Sequence, residues 1–310
     1  MEVNNSIIAE FIDGQMCSWD VARMNYEALS SVRSKCIRVS GTEVVIQFNP
    51  GRVRSTAANV TAAGTVERPC FLCAENRPPD QDSLKWNGYD ILLNPFPIFL
   101  EHLTIAVRVH APQYISGRVG DMLSLAESLS GFSVLYNGPR SGASAPDHMH
   151  FQAVPKGSLP FMSTDVQKES LFAGEDYAVY AGEDELRMYI IIVGNFERTL
   201  SVAEKVIDVM KTVTGESDEA KMNIIAEYDG HKYKIVIFPR GAHRPQEFFD
   251  PEPQKVLFSP GVVDYGGVVI TVREEDFNKM DSKLLKSLFL QLTLNRSDWQ
   301  RLLPTITDRL

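Results

Sequence analysis

Antiparallel-looking strands alternating with one long helix occur in the first half of this 310-residue chain and again in its second half, and this recurrence constrains the fold most. In the first half, YDILLNPFPIF and HLTIAVRV read as strands joined by a Pro-punctuated turn. A helix over 116–130 follows, with Val119, Met122, Leu123, Ala126 and Leu129 on one stripe, and then the strands FSVLYN and HMHFQAVP. In the second half the strand MYIIIVGN precedes a helix carrying Val202, Val206, Val209 and Val213 on one face. The hairpin MNIIAEYDGHKYKIVIFPR comes next, with Asp229-Gly230 near its tip. The expected fold class is therefore α+β, as a duplicated lobe.

The flanking segments complete this reading. Residues 17–33 carry Trp19, Met24, Ala28 and Val32 at helical spacing, 41–48 reads as a strand, and 50–69 reads as an irregular loop leading into RPCFLC. Leu159 to Asp184 reads as the connection between the lobes, which places the domains at 1–165 and 166–310. GGVVITV is a further strand, and 274–295 reads as one helix with Phe277, Met280, Leu284, Leu288 and Gln291 in register.

Composition excludes several classes. Forty acidic against 31 basic side chains give a formal charge of −9, which opposes non-specific binding to nucleic acid or anionic membrane. No apolar run approaches the roughly 18 residues of a membrane span, and the N-terminus lacks a signal-peptide pattern, so a cytoplasmic protein is expected. Four cysteines are too few for a disulfide scaffold. Two of them, Cys70 and Cys73, form a C-x-x-C pair, which inside a cell points to metal or redox chemistry. ENRPPDQ after the pair is a poor helix start, which disfavours the redox form.

Strand alternation puts His148, His150 and Gln152 on one face of HMHFQAV and Met149, Phe151 and Ala153 on the other. The preceding loop, YNGPRSGASAPD, supplies Gly138, Gly142 and Ser144, whose small size lets backbone N–H groups approach an anion. Arg140 and Ser141 are further donors in it. An imidazole beside such a loop can attack phosphorus when an acceptor holds its other nitrogen, and a glutamine on the same face can donate to a phosphoryl oxygen without titrating. No P-loop or dinucleotide fingerprint occurs, and no organic cofactor is implied. Arg240, His243 and Arg244 form a short basic cluster suited to distal phosphates, or else a solvated loop. Asn94, in the NPFP turn, either contacts a ribose or closes the turn. His110 reads as an exposed strand end and His231 as a solvated hairpin tip.

HMHFQ, with YNGPRSGAS and NPFPIFLEHLTIAVRVH upstream, resembles the H-x-H-x-Q branch of the histidine triad (HIT-like) superfamily. That branch contains galactose-1-phosphate uridylyltransferase, the diadenosine tetraphosphate phosphorylases (ATP adenylyltransferases) and the GDP-hexose phosphorylases. The likeness is densest over 68–157 and continues through IFPRGAHRPQEFF and SPGVVDYGGVVITVREEDF. It implies two HIT-like lobes, of which only the first carries the motif, with His150 as nucleophile, Gln152 on phosphate and His148 in support. Asn137, Gly142 and Ser144 would contact phosphate. It also implies structural zinc held by Cys70, Cys73, His102 and His148.

The implied activity is nucleotidyl transfer through a nucleotidyl-histidine, on a dinucleoside polyphosphate, with inorganic phosphate or a sugar phosphate as acceptor and a homodimer as one open assembly. The alternatives are a GDP- or ADP-hexose phosphorylase, a hexose-1-phosphate uridylyltransferase-like enzyme, and a non-catalytic nucleotide-binding protein. Asp147, beside the motif, is the feature that leaves the last open.

Overall fold

The computed structural model describes residues 3–39, 41–53 and 68–310. The expected loop at 50–69 therefore lies mostly outside the described residues. Helices α1 (Asn5–Ser18) and α2 (Asp20–Glu27) precede strands β1 (Arg33–Val39) and β2 (Thr42–Phe48). The first lobe follows as β3 (Leu84–Trp86), β4 (Tyr89–Leu93), β5 (Leu103–Val107), α3 (Val119–Ser128), β6 (Phe132–Asn137) and β7 (His150–Pro155). The second lobe repeats that order as β8 (Glu169–Ala173), β9 (Tyr177–Glu183), β10 (Met188–Gly194), α4 (Phe196–Thr214), β11 (Met222–Tyr228) and β12 (Tyr233–Pro239). The chain closes with β13 (Val268–Thr271), α5 (Ser282–Leu292) and α6 (Arg296–Thr307).

Strands β3 to β12 form one ten-stranded sheet in the order β3-β4-β5-β7-β6-β11-β12-β10-β9-β8. Each lobe contributes five strands in the same internal order, and the lobes meet where β6 pairs antiparallel with β11 from Asn223↔Asn137 to Ala226↔Val134. The α+β class and the duplicated arrangement thus follow from the pairing itself. A second, three-stranded sheet, β1-β2-β13, is closed by parallel pairing of β13 with β2.

The two faces of the large sheet are buried differently. One packs on helices through Ile8, Trp19, Met122, Ala126, Val202, Val206 and Trp299. The other packs on the small sheet and α5 through Val44, Ile46, Val269, Leu285 and Leu288. On β7, Phe151 and Ala153 join the helical face, while Val154 joins the second. His150 and Gln152 share the side of Val154 by the period of two. On the corresponding strand β12 that side carries Lys234, Val236 and Phe238. Phe238 packs edge-on against Phe161 at 5.1 Å, and the Lys234 ammonium donates to the Met162 carbonyl at 3.2 Å. Burying each such apolar side chain is worth roughly 1.5–3 kcal/mol, so here the second lobe has core where the first has polar groups.

Three sequence expectations are corrected. The N-terminal helical stretch is two helices that break at Trp19 (φ −120°, ψ 95°). The first, α1, lies ahead of the helical spacing read at 17–33 and is capped by the Asn4 side chain, which accepts from Ser6 and Ile7 N–H. The expected connection Leu159–Asp184 instead holds β8 and β9, an edge pair whose thin apolar pattern reflects partial exposure. The expected helix 274–295 divides at Met280–Asp281, because Asp281 accepts from Leu284 N–H and starts α5 afresh. Among the described residues, no helix is long and apolar enough to cross a membrane.

Candidate functional site

The His150 ring is 4 % exposed, and its Nδ1 lies 2.8 Å from the carbonyl oxygen of His148. A carbonyl only accepts, so Nδ1 carries the proton and Nε2 keeps a free lone pair. Burial, the largest influence, pushes the imidazole down to about 4, which keeps this lone pair available at neutral pH.

Gln152, next along the same face, is oriented by a second imidazole. His102 is fully buried immediately before β5, and its Nδ1 accepts from Ile98 N–H at 3.2 Å. Its Nε2 must then carry the proton, which it donates to Gln152 Oε1 at 2.7 Å. With its carbonyl engaged, Gln152 turns its amide N–H₂ away from His102. Burial holds His102 down to about 3. Because the unfolded ring binds its proton below about 6.5, this contribution to stability is present above that value and fades as pH falls toward 3. The His102 ring resonances are accordingly expected to show no titration between pH 5 and 8. A midpoint near 6.5 in a histidine NMR titration would contradict this placement.

Gln152 lines a cleft with Asn137, Gly142, Ser144, Arg52, Gly261 and Asp264. Gly142 sits at φ +95°, and a Cβ there would lie 2.7 Å from Gly261 Cα and the Pro260 carbonyl, so only glycine fits. Asn137 Oδ1 accepts from Val262 N–H and from Asn223 Nδ2, both at 2.7 Å, tying the loop to the C-terminal segment. Arg52 donates to the Phe96 carbonyl, and burial lowers it to about 10, still a cation at neutral pH. Asp264 accepts from Gly261 N–H at 2.8 Å and Ile270 N–H at 3.0 Å, and burial pushes it up to about 6. Neither Arg52 nor Asp264 stands in a local motif.

Several expected contacts lie elsewhere. Ser141 is fully buried, and Gly138 packs on lobe two, where a Cβ would meet the Met222 carbonyl at 3.0 Å, so neither faces the cleft. Arg240 is 1 % exposed, stacks on Tyr265 at 4.8 Å and donates to Asn223 Oδ1 and to the carbonyls of Pro260, Ala242 and His243. It ties loops together and is no free phosphate donor. His243 is half-buried, held by burial down to about 3 beside Arg244 and Arg240. Asn94 closes its turn, accepting from Phe96 N–H at 2.9 Å and donating to Thr104 Oγ1 at 3.2 Å. Asp147 is ion-paired to Arg68 at 2.9 Å, which compensates its charge.

The cysteine pair gathers a different histidine from the expected one. Cys70 Sγ lies 3.1 Å from His148 Nδ1, Cys73 Sγ lies 3.3 Å from His110 Nδ1, and the two Nδ1 atoms are 3.2 Å apart. All four ligand atoms fall within 4.8 Å of one another. His102 is engaged with Gln152, so its expected place belongs to His110, which is more than a strand end. Val107 N–H donates to Met149 O, and Met149 N–H to Ala111 O, which folds the chain after β5 along His148. His148 donates Nε2–H to the Val107 carbonyl at 2.7 Å, leaving Nδ1 to face the thiols. Ligand edges for tetrahedral zinc with two S and two N are roughly 3.3–3.8 Å, close to these separations, so the donor set fits that ion.

Residues 11–155 match the sequence profile of a domain of unknown function, DUF4922. No curated protein sequence matches the chain. Among solved structures, yeast Ap4A phosphorylase Apa2 in complex with Ap4A is similar over 95 % of this chain and 99 % of its own, at 16 % identity and a TM-score of 0.63. The same enzyme without that ligand matches over 88 % and 96 %, at 17 % identity and a TM-score of 0.58. In complex with AMP it matches over 88 % and 95 %, at 18 % identity and a TM-score of 0.55. The chain has the two-lobed fold of yeast Ap4A phosphorylase Apa2.

Proposed function

We propose that this chain is a nucleotidyltransferase of the phosphorylase type that works through a nucleotidyl-histidine, most simply on a dinucleoside polyphosphate. The observation that carries the reading is the pair of oriented side chains on one face of β7. These are an imidazole with Nδ1–H bound to its own strand and Nε2 free, and an amide whose oxygen is fixed by His102. The fold shared with an enzyme crystallised with Ap4A and with AMP supports a substrate of that chemistry. The nucleophile and its amide partner belong to residues 1–165, and residues 166–310 complete the cleft through Gly261 and Asp264.

In the first step the His150 Nε2 lone pair forms a bond to the α-phosphorus while the P–O bond to the leaving polyphosphate breaks. Gln152 N–H₂ donates to a non-bridging oxygen, and the Arg52 charge offsets the incoming negative charge. In the second step an oxygen of inorganic phosphate forms the new P–O bond, the N–P bond breaks and neutral His150 is restored. Two inversions give net retention. Cys70, Cys73, His110 and His148 would hold a structural zinc, which would fix the ring of His148 and with it the carbonyl that accepts the hydrogen bond of His150 Nδ1–H.

The test is incubation of the purified chain with a dinucleoside polyphosphate labelled at the α-phosphate, without phosphate. Acid-labile, alkali-stable label on protein is expected, released as a nucleoside diphosphate when phosphate is added. A panel including GDP- and ADP-hexoses separates the substrate classes by the products released. Absence of label with every donor would reject the covalent route.

A further inference from the structure

The pairing of β6 with β7 stops short of the site. It runs from Phe132↔Pro155 to Leu135↔Gln152, and in the same register the next inward-facing rung would set Asn137 against His150. The side chain of Gln113 occupies that rung. Its Nε2 donates to the carbonyls of Asn137 at 2.9 Å and His150 at 3.0 Å, and its Oε1 accepts from His150 N–H at 2.7 Å. A fully buried carboxamide thus does the work of the missing backbone bonds while keeping the strands from closing on each other. One strand leads into the loop that follows Asn137 and the other carries the imidazole, and Gln113 fixes the backbone of His150 at the fork between them.

The brace is itself held from the second lobe. Tyr136 Oη stands 3.1 Å from the Gln113 carbonyl oxygen and 2.6 Å from Glu219 Oε1, and Glu219 Oε2 accepts from Ile115 N–H at 2.6 Å. Glu219 lies between α4 and β11, outside the lobe that bears His150. It ties the second lobe to the loop that carries Gln113.

We infer that Gln113 is a positioning residue for His150: its carboxamide, anchored through Tyr136 and Glu219 of the two lobes, sets the backbone from which the imidazole is presented with Nδ1–H on the His148 carbonyl. The inference rests on the nucleotidyl-transfer reading for its effect on rate, but not for its effect on the ring. In Gln113→Met, of similar length but without the three hydrogen bonds, the rate of adduct formation is expected to fall about a hundredfold, the cost of a displacement near 1 Å. Binding of a non-hydrolysable dinucleoside polyphosphate should change less than threefold, because Gln113 is not in the cleft.

Nitrogen NMR of ¹⁵N-histidine-labelled protein reads the tautomer without any substrate. His150 is expected as a single Nδ1–H form in the natural protein and as a mixture of tautomers in Gln113→Met. Amide hydrogen exchange on the unmodified chain gives a second readout, with His150 N–H protected although no backbone carbonyl of β6 receives it. Fast exchange at His150, or an unchanged tautomer with an unchanged adduct rate in Gln113→Met, would overturn the inference. A tautomer shift in a protein that forms no adduct with any donor would uphold the positioning role and reject the transfer chemistry instead.

Discussion

Exchange of His150 for alanine is expected to abolish the acid-labile label and to lower turnover by roughly a thousandfold or more, the scale seen when a covalent nucleophile is removed. The imidazoles that flank β7 are otherwise engaged. His102 is engaged on both nitrogens, and His148 and His110 turn Nδ1 toward the cysteines. The fold should survive, since the ring contributes one hydrogen bond, to the His148 carbonyl, worth about 1 kcal/mol. His150→Asn is the companion variant, because the asparagine amide can donate to that same carbonyl while offering no nucleophile. Both variants should melt near the natural protein and take no label. Gln152→Ala, by contrast, should still take label but about a hundred- to a thousandfold more slowly, as for loss of one donor to a developing oxyanion. Equal label on natural protein and His150→Ala would remove the assignment whatever the turnover.

Much of this site is legible in the chain because strand alternation is a local rule. It places His150 and Gln152 together and predicts that Phe151 and Ala153 face the other way, into the helical core. The duplication is legible for the same reason, since each lobe repeats a periodic pattern that needs no partner to be read. What escapes is what depends on chain reversal or on packing between distant segments. His102 and His110 flank the same strand, and nothing in their spacing says which one folds back on the cysteines. The hydrogen bonds of Val107, Met149 and Ala111 decide it.

Arg240 looks like a phosphate ligand in sequence because a basic cluster is ordinarily solvated. Here carbonyls of three residues and an aromatic face converge on it, and they come from both sides of 20 residues of loop. Gln113, in HAPQY, has no signature at all. Its role exists only where two strands that are adjacent in space fail to pair.

Loss of the metal site should be the largest effect on stability. The natural chain is expected to carry one zinc, and Cys70→Ser or Cys73→Ser to carry none. If occupancy stabilises the fold by about 4 kcal/mol, as for a ligand held at a thousand times its Kd, the thermal midpoint falls by about 6 °C. The physical reason is that, among the described residues, the C-x-x-C turn has few other side-chain ties. Its ties are Asn76 Nδ2 to the Cys70 carbonyl at 3.0 Å and Arg77, which donates to the Leu72 carbonyl and pairs with Asp90 at 2.6 Å. The apolar cluster beneath it is small, built from Leu72, Leu92, Ala106 and Ala145 with the cysteines.

Elemental analysis and thermal unfolding with and without a strong chelator check the effect. Two histidine variants check the ligand set. His110→Ala should lose the metal and the stability together, whereas His102→Ala should keep the metal and lose adduct rate through a misdirected Gln152. The reverse pattern would return the ligand place to His102, and with it the geometry that orients the amide on β7.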